Sequence, residues 1–152
     1  MTQDAELLIR PLTAGDKDQW RELWAAYLAF YGSAVGSEVY ETTFARLIGK
    51  DERDYNCLVA EVEGELVGLV HFLFHRHCWR VEDVVYLQDL FTLKHWRGMG
   101  IGKALIEAVY ACGDEAGAPT VYWLTQDFNT QARELYDKVA DVTPFIKYQR
   151  PV

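Results

Sequence analysis

Cysteine, positive charge and long apolar runs are all in short supply here, and each shortage narrows the field. The 152 residues hold three cysteines; Cys57, Cys78 and Cys112 form an odd, widely separated set without a C-x-x-C pair. This argues against a disulfide framework and reads as reduced thiols in a cytoplasmic protein. Lys and Arg number 15 against 23 Asp and Glu, a formal net charge of −8. Such a field gives no general attraction to phosphate polymers or anionic lipid, so neither nucleic acid nor a membrane is the expected partner. A cationic substrate or a basic protein tail suits it better. No stretch reaches the roughly 18 apolar residues of a membrane span. The opening "MTQDAELLIR" is acidic and lacks the apolar run of a leader. Repeats, linkers and low-complexity tracts are missing too, so a single domain over residues 1–152 is expected, long enough to bury a proper core.

What the chain has in plenty is aromatic side chains: 5 Trp, 9 Tyr and 7 Phe, enough for a core and for the walls of a ligand cleft. "ELLIRPL" predicts a short strand ended by Pro11. Residues 13–32 predict an amphipathic helix with Trp20, Leu23, Trp24, Tyr27 and Leu28 at helical spacing and Gly32 as its close. "SEVYETTFARLIG" predicts a second helix with Ser37 as cap and Gly49 as stop. Two apolar runs joined by "EGE" predict a hairpin, Leu58 to Val62 and Leu66 to Phe74 about Gly64, followed by a third strand in "DVVYLQDLFTL". A helix over "IGKALIEAVYACGDEAG" should end near Gly113 or Gly117. The strand "VYWLTQD", the short helix "NTQARELYDKVA" capped by Asn129, and a last strand "PFIKYQR" complete the pattern. Strands with helices inserted among them describe a mixed α/β fold built around one sheet.

Between the third strand and the long helix stand three alternating glycines, Gly98, Gly100 and Gly102, in "RGMGIGK". Glycines so placed strip the backbone where a helix begins, so that a ligand can approach its free N–H groups. A Walker loop needs one more residue between its glycines and a Ser or Thr after its lysine, whereas Ala104 follows Lys103. A dinucleotide fingerprint needs the third glycine one place later. His71, His75 and His77 are strand-spaced but come without a further ligand set, so no metal site is expected.

"RGMGIG" satisfies the arginine-x-x-glycine-x-glycine pattern of the GNAT N-acetyltransferase superfamily, in the same place between strand and helix, and the chain resembles that family. "YLQDLFTL" resembles its preceding strand, and "NTQARELY" its downstream asparagine, alanine and tyrosine. "LIRPLTAGD" and "CLVAEVEGELVG" extend the likeness to diamine-type relatives and to fungal histone- and polyamine-type ones. The resemblance implies a GNAT-like α/β (α+β) fold, with a mixed, mostly antiparallel sheet flanked by helices. It also implies acetyl-CoA as acetyl donor, no metal, and a homodimer. Arg97, Gly98, Met99, Gly100, Ile101, Gly102 and Lys103 would hold the pyrophosphate. The backbone of Leu90, Phe91 and Thr92 would pair with the pantetheine arm as if it were another strand, an N–H near Leu90 facing the thioester carbonyl. Asn129 would touch the cofactor or cap its helix.

Acetyl transfer requires the neutral amine, and for a lysine-like group of pKa about 10.4 deprotonation at pH 7 costs about 4.6 kcal/mol. The departing thiolate in turn needs a proton donor. By resemblance that acid is Tyr136. Diamine-type relatives carry an acidic residue where this chain has Gln88, so a base and an anchor for a dication are missing there. Asp89 and Glu61 are the remaining carboxylates for the base. Gln88, with Phe30 and Tyr31 of the first helix, is expected to line the amine pocket. Ala140 stands where relatives commonly have glycine. No cysteine lies in the glycine turn, the strand before it or the segment from Asn129 to Tyr136, so transfer is expected to be direct. The expected activity is an acetyl-CoA-dependent N-acetyltransferase acting on a primary amine of a small molecule or a lysine-like group. The alternatives are an acetyltransferase of basic protein tails and a non-catalytic acyl-CoA-binding sensor.

Overall fold

The run "LVGLVHFLF" is too uniformly apolar for a strand with one wet face, and in the computed structural model it forms the middle of the sheet. The structure describes residues 5–152; the first four, on which part of the reading of a leaderless start rests, lie outside the described residues. In chain order the elements are β1 Leu7–Pro11, α1 Lys17–Phe30, α2 Ser37–Ile48, β2 Asn56–Val62, β3 Glu65–His75, β4 Val84–Thr92, α3 Ile101–Glu115, β5 Val121–Tyr122 and α4 Thr130–Val139. The strands lie side by side in that same order, antiparallel except for the last pair, where β5 runs parallel to β4. This is the mixed, mostly antiparallel sheet flanked by helices that the sequence pointed to. The β2–β3 hairpin turns on Glu63 and Gly64, both at positive φ (50° and 82°), as a two-residue turn that follows the sheet's twist requires.

Each face of the sheet carries its own core. On one side Ala60, Val62, Val70, Phe72, Val85 and Leu87 pack against Ile101, Leu105, Ile106 and Val109 of α3. On the other Val59, Leu69 and Phe91 meet Trp20, Leu23 and Trp24 of α1 and Phe44 and Leu47 of α2. Gly68 lets α3 close in: a Cβ there would stand 3.2 Å from side-chain atoms of both Ile101 and Leu105 and 3.0 Å from the Phe91 carbonyl. Arg10 ties β1 to its neighbours, donating to both oxygens of the buried Asp16 (2.7 and 2.9 Å) and to Glu61 Oε1 on β2 (3.0 Å).

Three expectations need correction, and one choice between alternatives is decided. Gly36, not Ser37, is the N-cap of α2, and no side chain caps it. Of the two stops expected for α3, the helix runs past Gly113, where a Cβ would come within 2.6 Å of the Ala118 carbonyl, and closes before Gly117, whose φ is 72°. The strand expected at "VYWLTQD" pairs only over Val121–Tyr122. The last segment, "PFIKYQR", joins no sheet: Phe145, Ile146 and Tyr148 are between 77 and 90 % exposed, and no strand among the described residues pairs with them.

Candidate active site

The site begins with one surplus residue. Facing β3, β4 pairs His71 with Asp89 but Phe72 with Leu87, which leaves Gln88 bulged out of the ladder. Before the bulge, Val85 and Leu87 point into the α3-side core; after it, Leu90 does so, while Asp89 and Phe91 point to the α1 side. Without the extra residue Asp89 would be driven into the core under α3. Beyond Tyr86, β4 has no partner on its β5 side among the described residues, so its edge stays open from Leu87 to Thr92. An open edge of this kind offers main-chain N–H and C=O groups to an extended ligand.

At the end of that edge the chain enters α3 through the glycines. Gly98 and Gly100 lie at φ 79° and 82°, left-handed values that side chains resist, and Gly100 is the N-cap. The Arg97 amide bonds to Lys94 and the Ala104 amide to Gly100. The N–H groups between them, from Gly98 to Lys103, have no backbone acceptor among the described residues and sit at the positive end of the α3 dipole. The third glycine works differently. A Cβ on Gly102 would press on Leu135 at 3.1 Å, so its role is to let α4 lie close.

A cleft of about 520 Å³ opens between these pieces, walled by the β4 edge, the glycine turn, one side of α4 and the end of α1. It gathers most of the residues picked out in the sequence: Leu90, Phe91, Thr92, Arg97, Gly98, Gly100, Ile101, Gly102, Lys103, Asn129, Tyr136, Phe30 and Tyr31. Arg97 donates from Nε to the Thr92 carbonyl (2.9 Å) and lies over the rings of Phe30 and Phe91, so its cation is fixed at the cleft wall. Asn129 accepts from the Ala132 amide (3.3 Å) and lines the cleft as well, so it caps α4 and remains in reach of a ligand. Lys103 stands near Glu107 at 3.8 Å.

Other assignments move. Glu61 is not brought to the cleft: its carboxylate is taken by Arg10 on the β1 side, which removes it as a base. Met99 is half exposed and Gln88 is solvent-facing at the bulge; neither lines the cleft. Asp89 lies behind the lining, its side chain 13 % exposed. Its Oδ2 is 2.8 Å from His71 Nδ1. Tyr27, Trp96, Leu135 and His71 were not singled out from the sequence for this site, and only the helical spacing of Tyr27 hinted at where it would face.

The tyrosines form one electrostatic cluster. Burial, with Tyr31 nearby, pushes the Tyr136 phenol up to about 12, so it holds its proton throughout the neutral range. Burial first and Asp89 second push Tyr27 and Tyr31 up as well. Burial also raises the Cys57 thiol far from the thiolate form, which disqualifies it as a nucleophile. Among the described residues no group of three or more His, Cys, Asp or Glu is arranged to hold a metal ion, and no helix is long and apolar enough to cross a membrane.

Comparison with known proteins agrees with this architecture. Residues 18–140 match the acetyltransferase (GNAT) family. The chain therefore belongs to that family and is an acetyltransferase. It is 38 % identical over 145 residues to the D-amino-acid N-acetyltransferase HPA3 of Saccharomyces cerevisiae, spanning 95 % of this chain and 90 % of that protein. It is 31 % identical over 90 residues to the thialysine N-epsilon-acetyltransferase of Bos taurus, spanning 54 % of this chain and 52 % of that one. The aminoglycoside N-acetyltransferase AAC(6')-Iy, solved in complex with CoA, shares the fold with a TM-score of 0.84 at 18 % identity, covering 99 % of this chain and 98 % of its own.

Proposed function

We propose that this chain, as one domain, transfers an acetyl group from acetyl-CoA directly to a primary amine on a small molecule. The observation that carries the reading is the meeting, in one cleft, of an open strand edge, a glycine-lined helix start and Tyr136. The residues present fit the donor. Free N–H groups from Gly98 to Lys103, with Arg97 beside them, suit a pyrophosphate, and the Leu90–Thr92 edge suits an amide-bearing arm. When bound, acetyl-CoA supplies an acetyl thioester. Asp89 draws the ammonium form of the acceptor toward the tyrosine-lined end of the cleft and takes its proton. Tyr136, kept protonated by burial, donates to the leaving sulfur.

The names of the relatives support an amine of modest size, since D-amino acids and thialysine both carry one. The sensor alternative arose from the missing carboxylate at Gln88, and Asp89 supplies one from the next position. Three free cysteines support a cytoplasmic location, and the net charge of −8 supports a small cation over nucleic acid or anionic membrane as partner.

Thiol release from acetyl-CoA, followed across D-alanine, thialysine, spermidine and a lysine-rich peptide, tests the reading. Turnover with one of the small amines is the expected result. Turnover with the peptide alone would transfer the assignment to basic tails, and tight acetyl-CoA binding without any turnover would return it to a sensor.

A further inference from the structure

His71 is buried, titratable and unused by the chemistry set out above. The imidazole is 3 % exposed and sits in the α1-side core. Its Nε2 lies 3.1 Å from the indole nitrogen of Trp20, itself 1 % exposed, and its Nδ1 lies 2.8 Å from Asp89 Oδ2. An indole N–H can only donate. Nε2 is therefore the accepting nitrogen, the ring proton sits on Nδ1, and it is donated to Asp89. A second indole, Trp24, packs edge-on to the imidazole at 5.9 Å, and its own buried N–H finds no partner among the described residues, so it does not compete for the ring.

The surroundings of Asp89 explain why the tautomer matters. His71 pairs with it from β3, and its charge helps to raise the phenols of Tyr27 and Tyr31 on the α1 side and of Tyr86 on its own strand, and the thiol of Cys57 on β2, each after burial. None of these brings a positive charge while His71 holds a single proton, and among the described residues no Arg or Lys pairs with Asp89. Trp20 of α1 therefore reaches the His71–Asp89 pair from its imidazole end.

We infer that Trp20 and His71 are positioning residues for Asp89: the indole holds the imidazole in its Nδ1–H form, and the imidazole aims the carboxylate without cancelling its charge. The inference rests on the reading of Asp89 as the base. If the indole N–H is removed, Nε2 is free to take a second proton. An imidazolium would then pair with Asp89 and quench it as an acceptor.

Two measurements on the full chain test this. With ¹⁵N-labelled histidine at pH 7, the His71 signals should show a protonated Nδ1 and an unprotonated Nε2, and Trp20→Phe should lose that single tautomer. In the acetyl-CoA assay, with the amine that turns over fastest, Trp20→Phe should move the acid limb of the kcat/KM profile upward by about one pH unit. His71→Leu should lower kcat at least about tenfold with the KM for acetyl-CoA unchanged, and His71→Asn, whose amide nitrogen stands in for Nδ1, should recover most of it. A protonated Nε2 in the unsubstituted protein would overturn the inference, as would an unmoved profile with undiminished kcat in variants whose near-ultraviolet circular dichroism shows them folded. Asp89→Asn separates the two readings. Full turnover there sinks the base itself, whereas its loss alongside normal His71→Leu and Trp20→Phe sinks only the positioning role.

Discussion

Single residues divide cleanly into those whose neighbours the chain order supplies and those whose neighbours it hides. Tyr136 belongs to the first group, because its spacing from Asn129 on α4 places both at the cleft. Tyr136→Phe keeps the ring against Trp123 and removes only the hydroxyl, so kcat should fall by a factor of about 10 to 100 while calorimetry shows acetyl-CoA affinity unchanged. Asp16 belongs to the second group. Its carboxyl is held well below the usual value of 3.8, at about 2, chiefly by the Arg10 guanidinium and further by the Thr13 amide and hydroxyl. A depressed carboxyl stabilises the fold above its unfolded pKa and loses that contribution as pH falls through the folded one. Denaturant titration of Asp16→Asn should therefore show a loss of about 2 kcal/mol at pH 7, a difference from the unsubstituted protein that shrinks between about pH 4 and pH 2.

At the scale of elements, the glycine turn and the β4 bulge contrast in the same way. The turn was legible because left-handed backbone demands glycine, and glycines are visible as letters. Gly100→Val, at φ 82°, should cost roughly 1–2 kcal/mol in thermal melts and weaken acetyl-CoA binding at least about tenfold in calorimetry. The bulge was not legible. An alternating pattern through "VVYLQDLFT" gives no sign that one residue will drop out of the ladder, since the surplus is defined only against the partner strand. That is why Asp89 and Glu61 looked equivalent as bases, and why His71 read as part of a histidine series. Pairing with β3 sets Asp89 opposite His71, and pairing with β1 sets Glu61 within reach of Arg10.

For the whole molecule, the unfinished part is the C-terminal end. We propose a homodimer in which residues 142–150 of each copy cover apolar surface of the other. The exposed Phe145, Ile146 and Tyr148, and a β5 that pairs over only two residues near the exposed Leu124 and Phe128, leave apolar surface unburied. Light scattering should give twice the chain mass for the full protein and a monomer for a chain ended at Asp141. A monomeric full-length protein would count against the dimer. Local pattern was enough for the helices, the β2–β3 hairpin and the glycine-lined helix start, because periodicity, turn chemistry and positive φ are properties of neighbouring residues. Which carboxylate an arginine takes up, which histidine faces Asp89 and whether the last segment finds a strand edge were decided in the tertiary structure. Each depends on register between segments far apart in the chain, and a one-residue shift reverses every side chain's face.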